Sequence, residues 1–271
     1  MQGGDFYFPQ RLTAQTNIRL PLNSSLSIQT FKMVVVLVTG GNTGIGEQVA
    51  HQLARQPDHH IIIASRNADA GAKVAADITA TGHSASSVQL DLASDESINA
   101  AVEYIKDVHG KLDVLVNNAG VAVDFNPGLS RREIFNQDYN VNVAGTAVLT
   151  DALLPLLRKT VSPRVVFVSS SLASMTLSTD KTWPYYNNGG EAYSCSKAAL
   201  NRLANHYAKT LAEVGALVNA VCPGLVKTKL NNYREGGTTP EEGASRIVEL
   251  ALLRPGGPTA TFSGRNGTIP W

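Results

Sequence analysis

From residue 33 onward the chain alternates short apolar runs with longer segments in which apolar residues recur every three or four positions. Short continuous apolar runs are typical of strands buried on both faces, and the longer segments predict amphipathic helices. Their alternation predicts βαβ units and a parallel sheet. Six strands are predicted, at residues 33–39, 60–65, 86–91, 112–117, 164–169 and 216–221.

The segment 95–109 shows the helical pattern most clearly. Its apolar stripe consists of Ile98, Ala101, Val102, Ile105 and Val108. Ser94 can cap the start of this helix, and Gly110 can end it. One domain at residues 33–271 accounts for the whole pattern, so we expect an α/β fold with one doubly wound parallel sheet. Residues 173–190 and 226–240 are the least regular, and loops of this kind usually select the substrate.

Residues 1–32 are polar, contain two prolines and show neither a helical nor a strand period. We expect them to be a disordered leader, or an extension that an alternative translation start at Met33 would omit. A weak organellar targeting segment is the competing interpretation, because three basic residues in this stretch outnumber its single acid.

Composition narrows the classes of partner. The net charge is +1 and no basic stripe is present, so we expect no nucleic acid and no anionic membrane surface as partner. No apolar run approaches the ~20 residues of a membrane span, which favours a cytoplasmic protein. Cys195 and Cys222 are expected to be reduced core thiols, and neither the cysteines nor the six scattered histidines predict a metal site.

A glycine-rich turn, T-G-G-N-T-G-I-G at residues 39–46, follows the first strand and leads into a helix. Gly40, Gly44 and Gly46 give the spacing G-x-x-x-G-x-G, which differs from the G-x-G-x-x-G fingerprint. Such a turn lets the backbone approach a pyrophosphate, and the helix N-terminus supplies N–H groups and a favourable dipole. A dinucleotide site is therefore predicted.

A second motif places Tyr193 and Lys197 four positions apart, on the same face of a predicted helix. A phenol with an ordinary pKa of about 10 exchanges protons poorly at neutral pH, and a neighbouring cation lowers that pKa. We therefore expect Lys197 to lower the pKa of Tyr193 and to prepare it for acid–base catalysis.

Together these motifs resemble the short-chain dehydrogenase/reductase family. T-G-x-x-x-G-I-G, N-N-A-G at 117–120, a serine at 170 and Y-x-x-x-K occur in the family's order. The resemblance implies a Rossmann-type fold and an oxidoreductase that transfers hydride between nicotinamide C4 and a carbonyl or alcohol carbon. The catalytic residues that it implies are Asn142, Ser170, Tyr193 and Lys197. The cofactor-binding residues that it implies are Gly40, Asn42, Thr43, Gly44, Ile45, Gly46, Arg66, Asp91, Asn118, Tyr193, Lys197, Pro223, Gly224, Val226 and Thr228.

The resemblance assigns roles to the catalytic residues. Tyr193 would donate the proton, and Lys197 would also hold the ribose hydroxyls. Ser170 would bind the carbonyl oxygen, although either neighbouring serine, 169 or 171, is an alternative. Asn142 would seat a water that links the lysine to solvent, or would only bend its helix.

Further cofactor contacts follow by position. Asp91, placed at the end of the third predicted strand, would contact the adenine or cap the next loop. Asn117 would join neighbouring strands. The Val226 backbone and the Thr228 hydroxyl would hold the nicotinamide carboxamide.

Selection between NAD and NADP depends on the end of the second strand. An acid there accepts hydrogen bonds from the ribose hydroxyls of NAD, whereas an arginine accommodates the 2′-phosphate of NADP. Ser65 stands in the place of the acid and Arg66 follows it, so NADP(H) is predicted. The chain departs from many NADP-dependent relatives at position 43, where threonine replaces a second base.

The 22 residues between Ser170 and Tyr193 exceed the family's minimum. This insertion, with T-P-E-E-G-A at 239–244, resembles the carbonyl reductase branch and favours a monomer. Its aromatic residues, Trp183, Tyr185 and Tyr186, either form a wall over a small carbonyl or alcohol substrate or simply pack against the domain. The alternative function is a non-catalytic dinucleotide-binding scaffold or sensor, which loss of a catalytic residue would have indicated.

Overall fold

An eight-stranded sheet forms the centre of the chain in the computed structural model, which describes residues 33–271. The leader predicted at residues 1–32 lies outside the described residues. The strands are β1 (Val34–Thr39), β2 (His59–Ser65), β3 (Ser84–Gln89), β4 (Val114–Asn117), β5 (Arg164–Val168), β6 (Leu217–Cys222), β7 (Phe262–Gly264) and β8 (Gly267–Thr268). Their order is β3-β2-β1-β4-β5-β6-β7-β8, and only β8 runs antiparallel to its neighbour.

Helices cover both faces of this sheet. They are α1 (Gly44–Ala54), α2 (Ala68–Ala80), α3 (Asp95–His109), α4 (Arg131–Tyr139), α5 (Thr146–Leu157), α6 (Met175–Ser178), α7 (Glu191–Thr210) and α8 (Pro240–Ala251). One core contains Leu37 of β1 and the inner sides of α3, α5 and α7. The other contains Val38 and the inner sides of α1, α2 and α8. Successive residues of one strand thus enter opposite cores, and the predicted doubly wound α/β fold is confirmed.

The six predicted strands are present with ends displaced by at most two residues. Both ends of β3 are displaced by two residues, so this strand ends at Gln89 and leaves Asp91 beyond it. This strand is rich in serine, and its register with β2 is supported by the His60 ring, which bonds Ser84 at 2.7 Å and Ser86 at 2.9 Å. The short strands β7 and β8 were not predicted, because two or three residues give too little periodicity to recognise.

Helix α3 has the predicted bounds and ends. The Ser94 side chain accepts a hydrogen bond from the Ser97 N–H, and Gly110 ends the helix with a left-handed backbone at φ 68°. Both features confirm the capping pattern that the sequence predicts.

One helical stretch, Arg131–Leu157, is long and apolar enough by length and composition to cross a membrane. Polar residues such as Asn140, Asn142 and Asp151 interrupt this stretch, so it is not a continuous apolar run of the length that the sequence excludes. The stretch joins α4, which starts at a capping box, to α5 through a π-helical turn at Asn140–Gly145. Leu149, Leu153 and Leu157 are fully buried against the sheet, so the apolar side of the stretch is part of the core.

The π-helical turn lies unusually close to the loop after β3. A Cβ atom on Gly145 would overlap the carbonyl oxygen of Leu92, so only glycine permits this approach. The extra residue in a π-helical turn changes the direction in which side chains leave the helix. Here it places Asn142 inside the protein, where it is almost completely buried.

We expect Gly145→Ala to lower the free energy of unfolding by about 2 kcal/mol, because the clash with backbone outweighs the better helix propensity of alanine. Chemical denaturation measures this change. The exposed neighbour Ala144 provides the control, since Ala144→Gly should cost only about 1 kcal/mol through propensity. An unchanged stability for Gly145→Ala would contradict the close approach.

Candidate active site

The sequence motifs meet at one edge of the sheet. The glycine turn follows β1, Arg66 follows β2, the 117–120 motif ends β4, Ser170 follows β5 and Pro223 follows β6. Because β1 to β7 are parallel, all these positions lie at their carboxyl ends. The order of the strands reverses between β1 and β4, and such a switch point forms the binding crevice of open α/β sheets.

The glycine turn leaves the start of α1 open. Gly40 and Gly44 have left-handed backbones, with φ of 63° and 58°, which glycine adopts without strain. Thr43 is the N-cap of α1, yet its side chain makes no capping hydrogen bond. Asn42 and Ile45 are half-buried beside it. The first N–H groups of α1 can therefore bind an anion, as a pyrophosphate requires.

Asn118 fixes the shape of this turn. Its side-chain amide donates to the carbonyls of Thr39 at 2.8 Å and Gly40 at 3.3 Å, and its backbone N–H donates to the Thr39 hydroxyl at 3.0 Å. A Cβ atom on Gly46 would overlap both the Gly40 carbonyl and this amide. Asn118 thus stabilises the turn, because its side-chain amide donates hydrogen bonds to backbone carbonyls of the turn.

The role expected for Asn117 is wrong. Its side chain does not join β4 to a neighbouring strand but donates to the hydroxyl of Thr150 on α5 at 3.2 Å. Side chains alternate between the two faces of a strand, so adjacent asparagines serve different neighbours. The link between β1 and β4 is made by Asn118 instead.

Three consecutive serines follow β5, and they have different surroundings. Ser169 is buried and donates to the Lys197 carbonyl at 3.4 Å, whereas Ser171 begins a short 3-10 turn. The Ser170 hydroxyl lies beside the Tyr193 phenol, where its hydrogen bonding works to lower the phenol pKa. Of the three serines, Ser170 is therefore placed to share a ligand atom with Tyr193.

Lys197 is buried beneath Tyr193. Its ammonium donates to the Val168 carbonyl at the end of β5 at 2.9 Å, and its Nζ is 5.7 Å from the centroid of the Tyr193 ring. Burial lowers the pKa of Lys197 to about 8, because the charged form is poorly solvated. The carboxylate of Asp138 opposes this shift.

The expected lowering of the Tyr193 pKa is not found. Burial raises this pKa above its ordinary value, and the neighbouring Cys222 and Asp138 raise it further. The spacing of Tyr193 and Lys197 predicts a nearby cation correctly, but it does not predict how far both groups are removed from water. Desolvation of the phenolate is the largest cause of the raised pKa.

The Asn142 side chain forms hydrogen bonds with the backbone of the loop after β4. Its side-chain oxygen accepts from the Val121 N–H at 2.8 Å, and its amide donates to the Val121 carbonyl at 2.8 Å and to Ser196 at 3.0 Å. The oxygen of Asn142 and the Nζ of Lys197 both lie within 3.2 Å of where a Cβ on Gly120 would stand. Asn142 therefore interrupts its helix and also approaches the lysine.

Two acids in this region were missed from the sequence. Asp138 is completely buried on α4, and Asp124, on the loop after β4, bonds the first N–H groups of α7. The available signal was spacing, because Asp138 precedes Asn142 by four positions and so lies on the inner side of the same helix.

Asp91 lies just past β3 and uses one carboxylate oxygen to accept from the Ala93 N–H at 3.0 Å. The capping role left open for it is therefore present. Asp91 also lines a groove of about 510 Å³ together with Val88, Gln89 and Ser94. This groove follows the carboxyl end of β3, where the adenine end of a dinucleotide is expected.

The segment after β6 lies beside the glycine turn. The Thr228 methyl group is 3.4 Å from where a Cβ on Gly44 would stand, and Gly224 turns the chain with φ 85°. The Val226 carbonyl accepts from the Asn231 amide at 2.8 Å, and this bond holds the segment in place. Pro223, Gly224, Val226 and Thr228 thus border the same crevice as α1.

The end of β2 faces this crevice as well. Ser65 is buried, and its hydroxyl donates to the Asn67 carbonyl at 2.8 Å. Arg66 is exposed, and within residues 33–271 it forms no ion pair. Its guanidinium is available to an anionic ligand.

The aromatic residues of the insertion before α7 differ in their packing and exposure. Trp183 and Tyr185 pack edge to face with centroids 5.5 Å apart, whereas Tyr186 is exposed. Arg234, on the loop after β6, donates to Asn188 of the insertion at 3.1 Å. These two loops therefore meet across the open edge of the sheet.

The cysteines differ from each other. Cys195 is exposed on α7, so the expectation that it is a core thiol is wrong. Cys222 is buried, and its sulfur accepts the backbone N–H groups of Ser171 at 3.1 Å and Gly224 at 3.4 Å. It thus supports the backbone directly after Ser170.

Comparison with known proteins adds to this geometry. A family model described as short chain dehydrogenase matches residues 34–237. The short-chain dehydrogenase/reductase eupG of Phoma sp is 32% identical over 239 residues, covering 80% of this chain and 86% of that protein. Salutaridine reductase of Papaver bracteatum is 30% identical, covering 85% and 94%. The solved RhlG/NADP active-site complex of Pseudomonas aeruginosa matches with a TM-score of 0.73 and 26% identity, covering 87% and 96%.

We expect Gly46→Ala to weaken binding of a nicotinamide dinucleotide, NADPH or NADH, at least about tenfold and to lower the free energy of unfolding by about 2 kcal/mol, because the added methyl group displaces the Gly40 carbonyl and the Asn118 amide. Fluorescence titration and denaturation measure the two effects. Gly82→Ala is the control, since Gly82 has φ 84° in open space far from the turn. It should lose stability without losing NADPH affinity.

Proposed function

The chain belongs to the short-chain dehydrogenase/reductase family, and from this premise we propose that it is an NADP(H)-dependent reductase of ketones or aldehydes, of the carbonyl reductase type. The observation that carries the proposal is the convergence of Ser170, Tyr193 and the buried Lys197 beside an open helix N-terminus. When bound, NADPH would supply the hydride.

The described residues fit this cofactor. The glycine turn and the start of α1 would receive the pyrophosphate, and the segment after β6 would border the nicotinamide. Arg66, exposed after Ser65, would pair with the 2′-phosphate, for which a planar guanidinium is well suited. The NADP complex of the structural relative RhlG supports the same choice.

Proton transfer would use Tyr193 as the donor. Its raised pKa keeps the phenol protonated throughout the neutral range, which suits reduction. The alkoxide formed by hydride addition is a much stronger base than a phenolate, so it can take this proton. Alcohol oxidation instead needs the phenolate, which burial disfavours. The site is therefore better prepared for reduction than for oxidation at neutral pH.

Ser170 and Lys197 would assist this step in different ways. The Ser170 hydroxyl would donate to the carbonyl oxygen as negative charge develops there. The Lys197 ammonium would hold the ribose and stabilise the phenolate left after proton transfer. With a pKa of about 8, Lys197 is mostly charged at pH 7 but loses its charge in mildly basic solution.

The loops around the site favour a moderately apolar substrate. Five large apolar side chains are exposed on loops that follow the carboxyl ends of β4, β5 and β6. They are Phe125, Met175, Tyr186, Leu230 and Tyr233. Tyr233 adopts a left-handed backbone with φ 56°, a strained conformation for a bulky residue and one common in binding loops.

The first experiment follows NADPH oxidation with quinones, aromatic ketones and aldehydes. We expect turnover in the wild type and a loss of at least about a thousandfold in Tyr193→Phe, because the proton donor is removed. The affinity for NADPH should stay close to that of the wild type. Tight NADPH binding without turnover of any substrate would instead favour the non-catalytic scaffold.

Cofactor choice is tested by Arg66→Ala. Loss of one charge-assisted hydrogen-bonding group should weaken NADPH binding by roughly ten- to a hundredfold and leave NADH binding nearly unchanged. Arg55→Ala, which removes another exposed arginine on the far end of α1, should alter neither affinity. Equal losses for both dinucleotides in Arg66→Ala would contradict the assignment of NADP(H).

A further inference from the structure

Asp138 is a fully buried acid whose hydrogen bonds are incomplete. Its side chain has 0% exposure, and one oxygen accepts from the Val123 N–H at 3.1 Å. The other oxygen, Oδ2, receives no hydrogen bond from any described residue. The side chain beside it is the carboxyl group of Asp124. Two carboxylates have no hydrogen to share, so a proton on one of them would satisfy this orphaned oxygen.

Asp124 caps the helix that carries the proposed catalytic residues. The N-cap position of α7 is Gly190, which has no side chain to perform this function. Asp124 instead reaches across from the loop after β4 and accepts from the N–H groups of Ala192 at 2.8 Å and Tyr193 at 3.1 Å. A carboxylate at a helix N-terminus is stabilised by these N–H groups and by the helix dipole.

The surroundings of the two acids favour the proton on Asp138 rather than on Asp124. Asp124 receives the helix N–H groups, which favour its ionised form, whereas Asp138 is enclosed with one N–H donor. We propose that Asp138 and Asp124 share a single proton, and that in this form Asp138 is a positioning residue that holds Asp124 on the N-terminus of α7 and so sets the place of Tyr193. The catalytic part of this inference rests on the proposed function.

The charges around the pair agree with this arrangement. Burial and the neighbouring Asp124 together raise the pKa of Asp138 to about 7, against the Val123 N–H and the Lys197 ammonium, which lower it. Tyr193 and Lys197 face the pair from α7. At the starts of α4 and α7, Arg131 and Glu191 form an exposed ion pair at 2.6 Å.

The shared proton predicts a particular dependence of stability on pH. The pKa of Asp138 rises from 3.8 to about 7 on folding, so the folded protein binds this proton more tightly than the unfolded chain does. Between about pH 4 and pH 7 the unfolded chain has released this proton while the folded protein still binds it. The free energy of unfolding therefore falls as the pH rises through this range, relative to that of a protein without the acid. Above about pH 7 no further loss arises from this group.

Asp138→Asn tests the sharing directly. The amide keeps the shape of the side chain, can accept from Val123, and donates to Asp124 without any titrating proton. We expect the Tm of Asp138→Asn minus that of the wild type to increase between about pH 5 and pH 7 and to change little above pH 7. Glu191→Gln is the control, because it removes an exposed acid from the first turn of α7. Its Tm should differ from that of the wild type by an amount that stays constant over this pH range. A constant difference for Asp138→Asn as well would overturn the proposal.

Asp124 variants test the positioning of the helix. Asp124→Ala should reduce the rate of NADPH oxidation with 9,10-phenanthrenequinone by about tenfold or more, because the start of α7 and with it Tyr193 lose their support. Asp124→Asn should restore most of this rate, since its oxygen still accepts an N–H and its amide donates to Asp138. Equal loss in both variants would overturn the positioning role.

The two proposals fail in different ways. If wild-type protein oxidises no NADPH with any carbonyl compound, the proposed function fails, while the pH dependence of Tm still decides whether the proton is shared. If turnover is normal but the Tm difference does not change with pH, the acid pair fails and the reductase stands. Should Asp138→Asn not fold, Asp124→Asn provides the pH comparison, because its amide can donate to an ionised Asp138 and so lowers the pKa of that acid. A difference in Tm from the wild type that does not change with pH would then overturn the proposal.

Discussion

The burial of one ammonium group, that of Lys197, determines how the surrounding elements are arranged. Removing a charge from water costs several kcal/mol unless it gains hydrogen bonds and an opposite charge. The Val168 carbonyl at the end of β5 supplies the hydrogen bond, and the carboxyl group of Asp138 on α4 favours the charged lysine when it is ionised. The lysine thus joins the end of β5 to α7, and Val168 and Asp138 together offset part of the cost of burying its charge.

The loop that follows β4 transmits the geometry of the sheet to the helices. Asn142 bonds both the N–H and the carbonyl of Val121, and Asp138 accepts from the Val123 N–H. Asp124 accepts from N–H groups at the start of α7. The π-helical turn matters for this reason, since it brings Asn142 inward. A short segment without regular structure therefore joins the strand, the interrupted helix and the helix of Tyr193 through buried hydrogen bonds, which tolerate little displacement.

Sequence patterns predict the parts of this structure that depend on local order. Apolar runs locate six strands, and the spacing of glycines locates the open end of α1. The pattern cannot show which of two adjacent asparagines joins β1 to β4, because that depends on the face each side chain takes. The burial of Asp138, the exposure of Cys195 and the direction of the Tyr193 pKa likewise arise from tertiary contacts. Helical spacing shows which residues share a face, but the elements packed against that face decide how far each side chain is removed from water.

Burial changes the order in which the site loses its protons. In water a tyrosine and a lysine release protons at similar pH, but here the phenol pKa is raised and that of Lys197 falls to about 8. The lysine therefore becomes neutral before the phenol ionises, and a phenolate beside an ammonium is not the resting state. Such a pair can form only when a stronger base removes the phenolic proton, and the nascent alkoxide of a reduced carbonyl is such a base. An ionised Asp138 raises the pKa of both groups. It therefore stabilises the charged form of Lys197 and destabilises the charged form of Tyr193.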